Sequence, residues 1–145
     1  ATLQGRWTLV FFGFTHCPDV CPTTLAELAK AEQAWSGLAP AQRPQLLFVS
    51  VDPERDTPAI TGDYAHYFSA TTLASSPTPE QLAQFAQALG MVYMKITEAD
   101  GSYSMDHSST LVLLDPQGRQ AGLLRAPLIA QQIGDDLRLL AERAP

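Results

Sequence analysis

Cys17 and Cys21 are the only cysteines in the chain, and they stand four residues apart in Phe14-Thr15-His16-Cys17-Pro18-Asp19-Val20-Cys21-Pro22. The apolar run Trp7 to Phe14 leads into them and a helical pattern follows them. Both sulfurs therefore fall on one strand-to-helix turn, where they can share a proton, a bond or a metal ion. The unpaired N–H groups at the helix start put partial positive charge beside them. That favours thiolate over thiol, and thiolate is the form that attacks disulfides and ligates metals. Three intervening residues make a looser pair than Cys-x-x-Cys. On one helical turn they still bring Cβ atoms within roughly 5–6 Å, so modest adjustment would bridge them. Pro18 and Pro22 stiffen the turn and remove competing backbone donors.

The elements that must hold this turn follow from periodicity. Trp7 to Phe14 reads as a strand covered on both faces. Pro22 suits a first helical position, with Leu25, Leu28, Ala29 and Trp35 at helical spacing and Gly37 as the stop. Leu46 to Val51 is a second buried strand closed by Asp52-Pro53, and the loop Pro53 to Asp56 leads to a helix capped by Thr57 with Pro58 at its first position. Ile60, Tyr64, Tyr67 and Phe68 are expected on its buried side. After a weak extended piece, Thr71 to Ala74, Thr78 and Pro79 open a third helix with Leu82, Phe85, Ala86 and Leu89 inward and Gly90 beyond its end. Met91 to Thr97 and Thr110 to Asp115 read as strands flanking the loop at Gly101 and the segment Tyr103 to Ser109. Pro116-Gln117-Gly118 is a hairpin turn, Gln120 to Arg125 returns, and Pro127 opens a last helix with Ile129, Ile133, Leu137 and Leu140 on one face. Early β-α alternation implies parallel neighbours, and the late tight turn implies an antiparallel pair. A mixed central sheet with helices on both faces and a cysteine turn after its first core strand describes an α/β domain of thioredoxin-like fold.

Two thiolates make an incomplete metal site, and three histidines are available. His16 adjoins Cys17 and is poorly aimed to share an ion with it. His66 lies among Tyr64, Tyr67 and Phe68, where a partly buried structural role is expected. His107 stands directly before the strand from Thr110, and in a thioredoxin-like arrangement that segment approaches the cysteine turn. It is the natural third ligand, with a hydrogen-bonded loop histidine as the alternative. Two sulfurs and one imidazole suit copper, since Cu(I) accepts thiolates at low coordination number and Cu(II) needs only a water or carboxylate more. Zinc usually takes four ligands in a closed site. Asp19 could add a weak ligand and Asp106 a hydrogen bond to a ligand, although each also suits an ordinary turn. Without metal, the same cysteines could cycle as a thiol–disulfide oxidoreductase, or simply hold the turn closed as a disulfide in a binding module.

A length of 145 residues suits a single domain spanning 1–145. With 46% hydrophobic and 17% charged residues it has a core-forming composition rather than a disordered one. A net charge of −6 argues against nucleic acid and against direct binding to anionic lipid. No stretch approaches the roughly 18 apolar residues of a membrane span. The start Ala1-Thr2-Leu3 is read as that of a processed or trimmed form, which leaves the compartment open.

Three segments together resemble the Sco/SenC family of copper-delivery proteins. They are Phe12 to Leu25, containing Cys17-Pro18-Asp19-Val20-Cys21-Pro22; Val49 to Pro58, containing Asp52-Pro53-Glu54-Arg55-Asp56; and Asp106-His107-Ser108-Ser109-Thr110. The resemblance implies a thioredoxin-like fold and one copper ion, Cu(I) or Cu(II), on Cys17, Cys21 and His107. It also implies a role in assembling the dinuclear copper centre of cytochrome c oxidase subunit II, by handing over copper received from a donor protein, by reducing that subunit's cysteines, or both. Family members usually carry one N-terminal membrane helix and face the bacterial periplasm or the mitochondrial intermembrane space. They normally have a strand pair ahead of the position of Gly5, expected to be absent here, while Asp52 to Thr57 resembles a family loop near the site and is expected to be structural. A peroxiredoxin would place Thr three residues before its reactive Cys and Pro four before that Thr. Here Thr15 is two before Cys17, and Phe11 holds the place of the Pro.

Overall fold

The computed structural model describes residues 5–15, 20–39, 42–101, 103–107, 110–124 and 129–143, the side chains at 20, 21, 104–107 and 143 excepted. Six consecutive residues of β1 (Thr8–Gly13) are buried, as a strand covered on both faces must be. It pairs in parallel with β2 (Gln45–Ser50) from Thr8↔Gln45 to Gly13↔Ser50. On its other side it runs antiparallel to β6 (Leu111–Leu114), from Thr8↔Leu114 to Val10↔Val112. The short β3 (Leu73–Ser75) flanks β2, and β7 (Gln120–Leu124) closes the far side, giving the order β3-β2-β1-β6-β7. The mixed sheet is the one expected from the element order.

Alternation along β1 sends Phe11 and Phe12 to opposite faces. Phe11 meets Phe48 at 5.8 Å, and Phe48 meets Tyr64 of α2 (Pro58–Phe68) at 5.6 Å. Phe12 meets Phe85 of α3 (Pro79–Leu89) at 5.8 Å, so helices cover both faces. Phe11, Phe12 and Phe48 are fully buried, and each contributes roughly 1.5–3 kcal/mol relative to leaving it in water. Helix α1 (Val20–Ala31) continues into a 3-10 turn that buries Trp35, and it packs against both α2 and α4 (Ala130–Arg143).

Local chemistry sets the ends. Thr57 Oγ1 accepts the Ile60 N–H at 3.2 Å ahead of Pro58. Thr78 and Gln81 form a reciprocal capping box, and Gly90 takes φ 72° to end α3. The β6–β7 turn closes on Asp115 Oδ1, which accepts from the N–H groups of Gln117 and Arg119, with Gly118 at φ 83°. The first N–H of α4, on Ala130, donates to Glu27 Oε2 of α1 at 3.0 Å, so a distant carboxylate caps that helix.

Several expectations need correction. Helix α1 starts at Val20 rather than Pro22, which places Cys21 and Pro22 inside its first turn, where proline is still tolerated. On α2 the buried residues are Thr61 and Ala65, while Ile60 is 45% and Tyr67 84% exposed. Small residues face inward there, and Tyr64 and Phe68 reach the core from the flank of the helix. Ile129 is exposed ahead of α4, where Ile133 and Leu137 carry the inner face; Pro127, expected at its start, lies outside the described residues. The segment from Tyr103 is not a loop. It forms β5 (Tyr103–His107), which pairs antiparallel with β4 (Tyr93–Thr97) in a separate two-stranded sheet. None of the helices in the described residues is long and apolar enough to cross a membrane.

The approach of α4 to α1 depends on Gly134, where an added Cβ would lie 2.6 Å from Ala34 Cβ and 2.7 Å from the Ala31 carbonyl oxygen. Gly134→Ala is expected to lose about 1–3 kcal/mol of stability in denaturant unfolding, because overpacking against backbone outweighs the better helix former. Gly62→Ala, in α2 with nothing within 4 Å of the new Cβ, is the contrasting case and should gain up to about 1 kcal/mol.

Candidate metal centre

The sheet register decides which loops meet. Val112 of β6 pairs with Val10 of β1, and β1 runs three residues further to Gly13. Because the strands are antiparallel, the chain enters β6 at the same sheet end at which it leaves β1. The segment leaving β1 leads to Cys17 and then Cys21; the segment arriving at β6 comes from His107. The parallel β2 exits there as well, into residues 52–56. Three chain segments thus converge on one end of the sheet.

Of the expected ligands, the backbones of Cys21 and His107 are placed, the former in the first turn of α1 and the latter as the last residue of β5. Asp106 precedes His107 on the same strand, opposite Met94. Cys17 and Asp19 lie outside the described residues, as does His16. The backbone of Cys21 lies at the positive end of the α1 dipole. His66 has the structural role expected, its Nε2 lying 3.1 Å from the Thr72 carbonyl oxygen, although the residue is exposed rather than partly buried. Among the described residues no group of three or more His, Cys, Asp or Glu is gathered to hold a metal ion.

Beside this end lies a network built from the segment read as turn chemistry. Asp56 is 1% exposed. Its Oδ2 accepts from the Thr15 N–H at 3.0 Å and from Ser50 Oγ at 2.6 Å, and its Oδ1 accepts from Thr15 Oγ1 at 2.5 Å. Its own carbonyl accepts from the Ser76 hydroxyl. Asp52, also 1% exposed, accepts from Arg55 Nε at 2.5 Å and from the Tyr103 hydroxyl at 2.8 Å. Arg55 Nη1 donates to the Tyr103 carbonyl oxygen at 3.2 Å, and the guanidinium carbon lies 3.8 Å from the Tyr103 ring centroid and 5.8 Å from that of Phe14. Burial first, then the hydrogen bond to Asp52 and its negative charge, push the Tyr103 phenol from 10.0 up to about 12.

Sequence reasoning placed the residues 52–57 near the site only through resemblance and gave them no partners. The available signal was two aspartates and an arginine directly after a buried strand, a pattern that requires pairing if the fold covers it.

Residues 1–142 match the family described as SCO1/SenC. The chain belongs to this family. A Stutzerimonas stutzeri protein named as copper-binding is 42% identical over 88% of this chain and 62% of its own length. The mitochondrial SCO2 homologue of Bos taurus is 37% identical over 95% of this chain and 52% of its own. The chain therefore spans between about half and two thirds of these two relatives. Bradyrhizobium japonicum ScoI, solved with copper bound, superposes with a TM-score of 0.85 at 36% identity, covering 95% of this chain and 87% of that one. The thioredoxin-like fold expected from the element order is that of these SCO1/SenC structures.

Two outcomes follow from the network. Asp56→Ala strips three donors of a charged acceptor and is expected to cost about 3 kcal/mol or more in denaturant unfolding. Tyr103 ionises in the unfolded chain near 10.0 and in the fold near 12, so stability is fully present below pH 10 and falls as pH rises through that window. An absorbance titration should show a tyrosinate component near pH 12 that is missing from Tyr103→Phe.

Proposed function

We propose that this SCO1/SenC domain binds one copper ion, Cu(I) or Cu(II), through Cys17, Cys21 and His107. On this reading it serves assembly of the dinuclear copper centre of cytochrome c oxidase subunit II, handing over copper taken from a donor protein, reducing that subunit's cysteines, or both. The observation that carries the proposal is the β1–β6 register, because it leads the cysteine-bearing and histidine-bearing segments to one end of the sheet. The donor chemistry fits: two sulfurs and one imidazole suit a soft ion held at low coordination number. The copper-bound ScoI relative supports the choice of metal. The copper is cargo, and the chain's task is to keep both sulfurs deprotonated and near each other, which the first turn of α1 favours at Cys21. The reading places the protein in the periplasm, membrane-anchored in its full-length form, with the mitochondrial intermembrane space as the alternative; the mitochondrial Bos taurus relative fits the latter.

A second reading rests on the same cysteine pair. As a metal-independent thiol–disulfide oxidoreductase, Cys17 and Cys21 would give two electrons and two protons to a disulfide of the target and themselves close to a disulfide. Histidine separates the two, since exchange needs no imidazole.

Titration of reduced protein with copper, followed in the thiolate charge-transfer region, is expected to saturate at one ion per chain. Cys17→Ala and Cys21→Ala should each abolish that band, His107→Ala should weaken binding, and loaded protein should pass copper to an apo subunit II fragment. If His107→Ala matches the parent in copper affinity, the three-ligand site is wrong; full dithiol turnover in that variant, without copper transfer, favours the oxidoreductase.

A further inference from the structure

The strand that carries His107 is attached to the rest of the molecule in an unusual way. β4 and β5 hydrogen-bond to each other and, among the described residues, form no ladder with the five-stranded sheet. Apolar packing reaches the core through Tyr93, the first residue of β4, and Met91 just ahead of it. On β5 the described polar ties are those of Tyr103, and both of its ties go to the segment after β2: its hydroxyl to Asp52 and its carbonyl to Arg55. Lys95 of β4 adds an exposed ion pair to Glu54 of the same segment at 2.9 Å, and its ammonium lies 4.3 Å from the Tyr103 ring centroid.

That segment is itself fixed to the other arm. Asp56 N–H and Arg55 N–H both donate to the Asp52 carbonyl oxygen, which makes residues 52–56 one tight turn. Asp56 then holds Thr15, two residues before Cys17, through both its N–H and its hydroxyl. A continuous polar path therefore runs from the approach to Cys17, through residues 52–56, to Tyr103, four residues before His107 on the same strand.

We infer that Asp52, Arg55 and Tyr103 form a brace that positions the His107 strand relative to the cysteine turn, so that the third ligand arrives at a fixed place. Asp52, Arg55 and Tyr103 are positioning residues. The inference rests on the three-ligand reading above and says how that site is assembled. The chemistry of Arg55 fits this role better than simple charge pairing. A lysine could neutralise Asp52, but only a planar guanidinium can bond Asp52, grip the main chain of β5 and stack on the Tyr103 ring together. Among the described residues its remaining nitrogen, Nη2, has no acceptor. The described contacts of the guanidinium converge on Asp52, Tyr103 and Phe14, the residues flanking the converging segments. Tyr103 supplies the matching half, because its hydroxyl meets Asp52 while its ring and carbonyl meet Arg55.

The test compares Tyr103→Phe and Arg55→Lys, each in the parent and in His107→Ala, using full-length chain with copper as probe. Cu(II) affinity is read by chelator competition, ring ligation by imidazole-nitrogen hyperfine coupling in electron paramagnetic resonance, and folding by the thermal midpoint. Removing a partner that orients a ligand typically weakens a metal roughly 10-fold or more. That loss, with reduced imidazole coupling, is expected for both variants in the parent and should vanish in the His107→Ala background. Arg55→Lys keeps the charge and carries the comparison alone should Tyr103→Phe prove unfolded. Unchanged affinity and coupling in a folded brace variant, while His107→Ala weakens binding, overturns the brace and leaves the three-ligand site standing. Equal weakening in both backgrounds also overturns it, since the effect then bypasses the ring. If His107→Ala itself changes nothing, the three-ligand reading fails and the brace falls with it.

Discussion

A carboxylate with almost no access to water must be given its donors by the fold, and Asp56 is in that position at 1% exposure. Its donors come from two strand exits: Thr15 just past β1 and Ser50 at the end of β2. The parallel register sets Gly13 opposite Ser50, so the two exits are already side by side when the carboxylate ties them. An uncompensated buried charge costs several kcal/mol, which makes the network all-or-none rather than adjustable. The chain consequently departs toward Cys17 from a fixed point instead of a free loop end. Every other feature of the candidate centre is arranged relative to that point.

Much of this scaffold is legible in the sequence because its causes are local or periodic. The central strands announce themselves as unbroken apolar runs, Thr57-Pro58 and Thr78-Pro79 as helix starts, and Asp115 to Gly118 as a turn. Periodicity is less reliable where residue size matters. On α2 it selects Tyr67 for the core, whereas the inward positions belong to Thr61 and Ala65, and Tyr67 instead lies edge-on against Phe68 at 5.1 Å. The strand β5 is a different case. Tyr103-Ser104-Met105-Asp106-His107 does alternate apolar and polar residues, but over only five positions and with one small apolar side, and β4 supplies the partner that makes it a strand.

The candidate centre divides along the same line. The residue types proposed as donors, Cys17, Cys21 and His107, can be read directly from the sequence. Their support cannot, because Tyr103 meets Asp52 across 51 residues of sequence and Thr15 meets Asp56 across 41. Asp-Pro and Thr-Pro dipeptides flank those aspartates, and taken alone they describe solvated turn and cap chemistry. Only the closure of the sheet turns the same residues into a buried network. Family membership through residues 1–142 and the copper-bound ScoI fold narrow the choice of metal without supplying these contacts.

The two arms of the site are unequally rooted, and that inequality bears on how an ion could be released. The cysteine arm springs from β1, buried over its whole length and paired on both sides. The histidine arm belongs to a two-stranded sheet, whose strand β4 leaves Met94 65% and Ile96 41% exposed, with Val92 just before it at 71%. Regions with few buried apolar contacts open at lower free energy than core strands do. On the proposed reading, moving the histidine arm would lower the coordination number around the ion while the sulfurs stayed in place. A soft ion such as Cu(I) tolerates that change, because two thiolates already suit it. Among the described residues, the ties that opening would break are those of Tyr103 to Asp52 and Arg55, the Lys95–Glu54 pair and the packing of Met91 and Tyr93, while the ladders of the five-stranded sheet stay intact. A partner that approached the ribbon could change the coordination of the ion without loosening the fold that carries it.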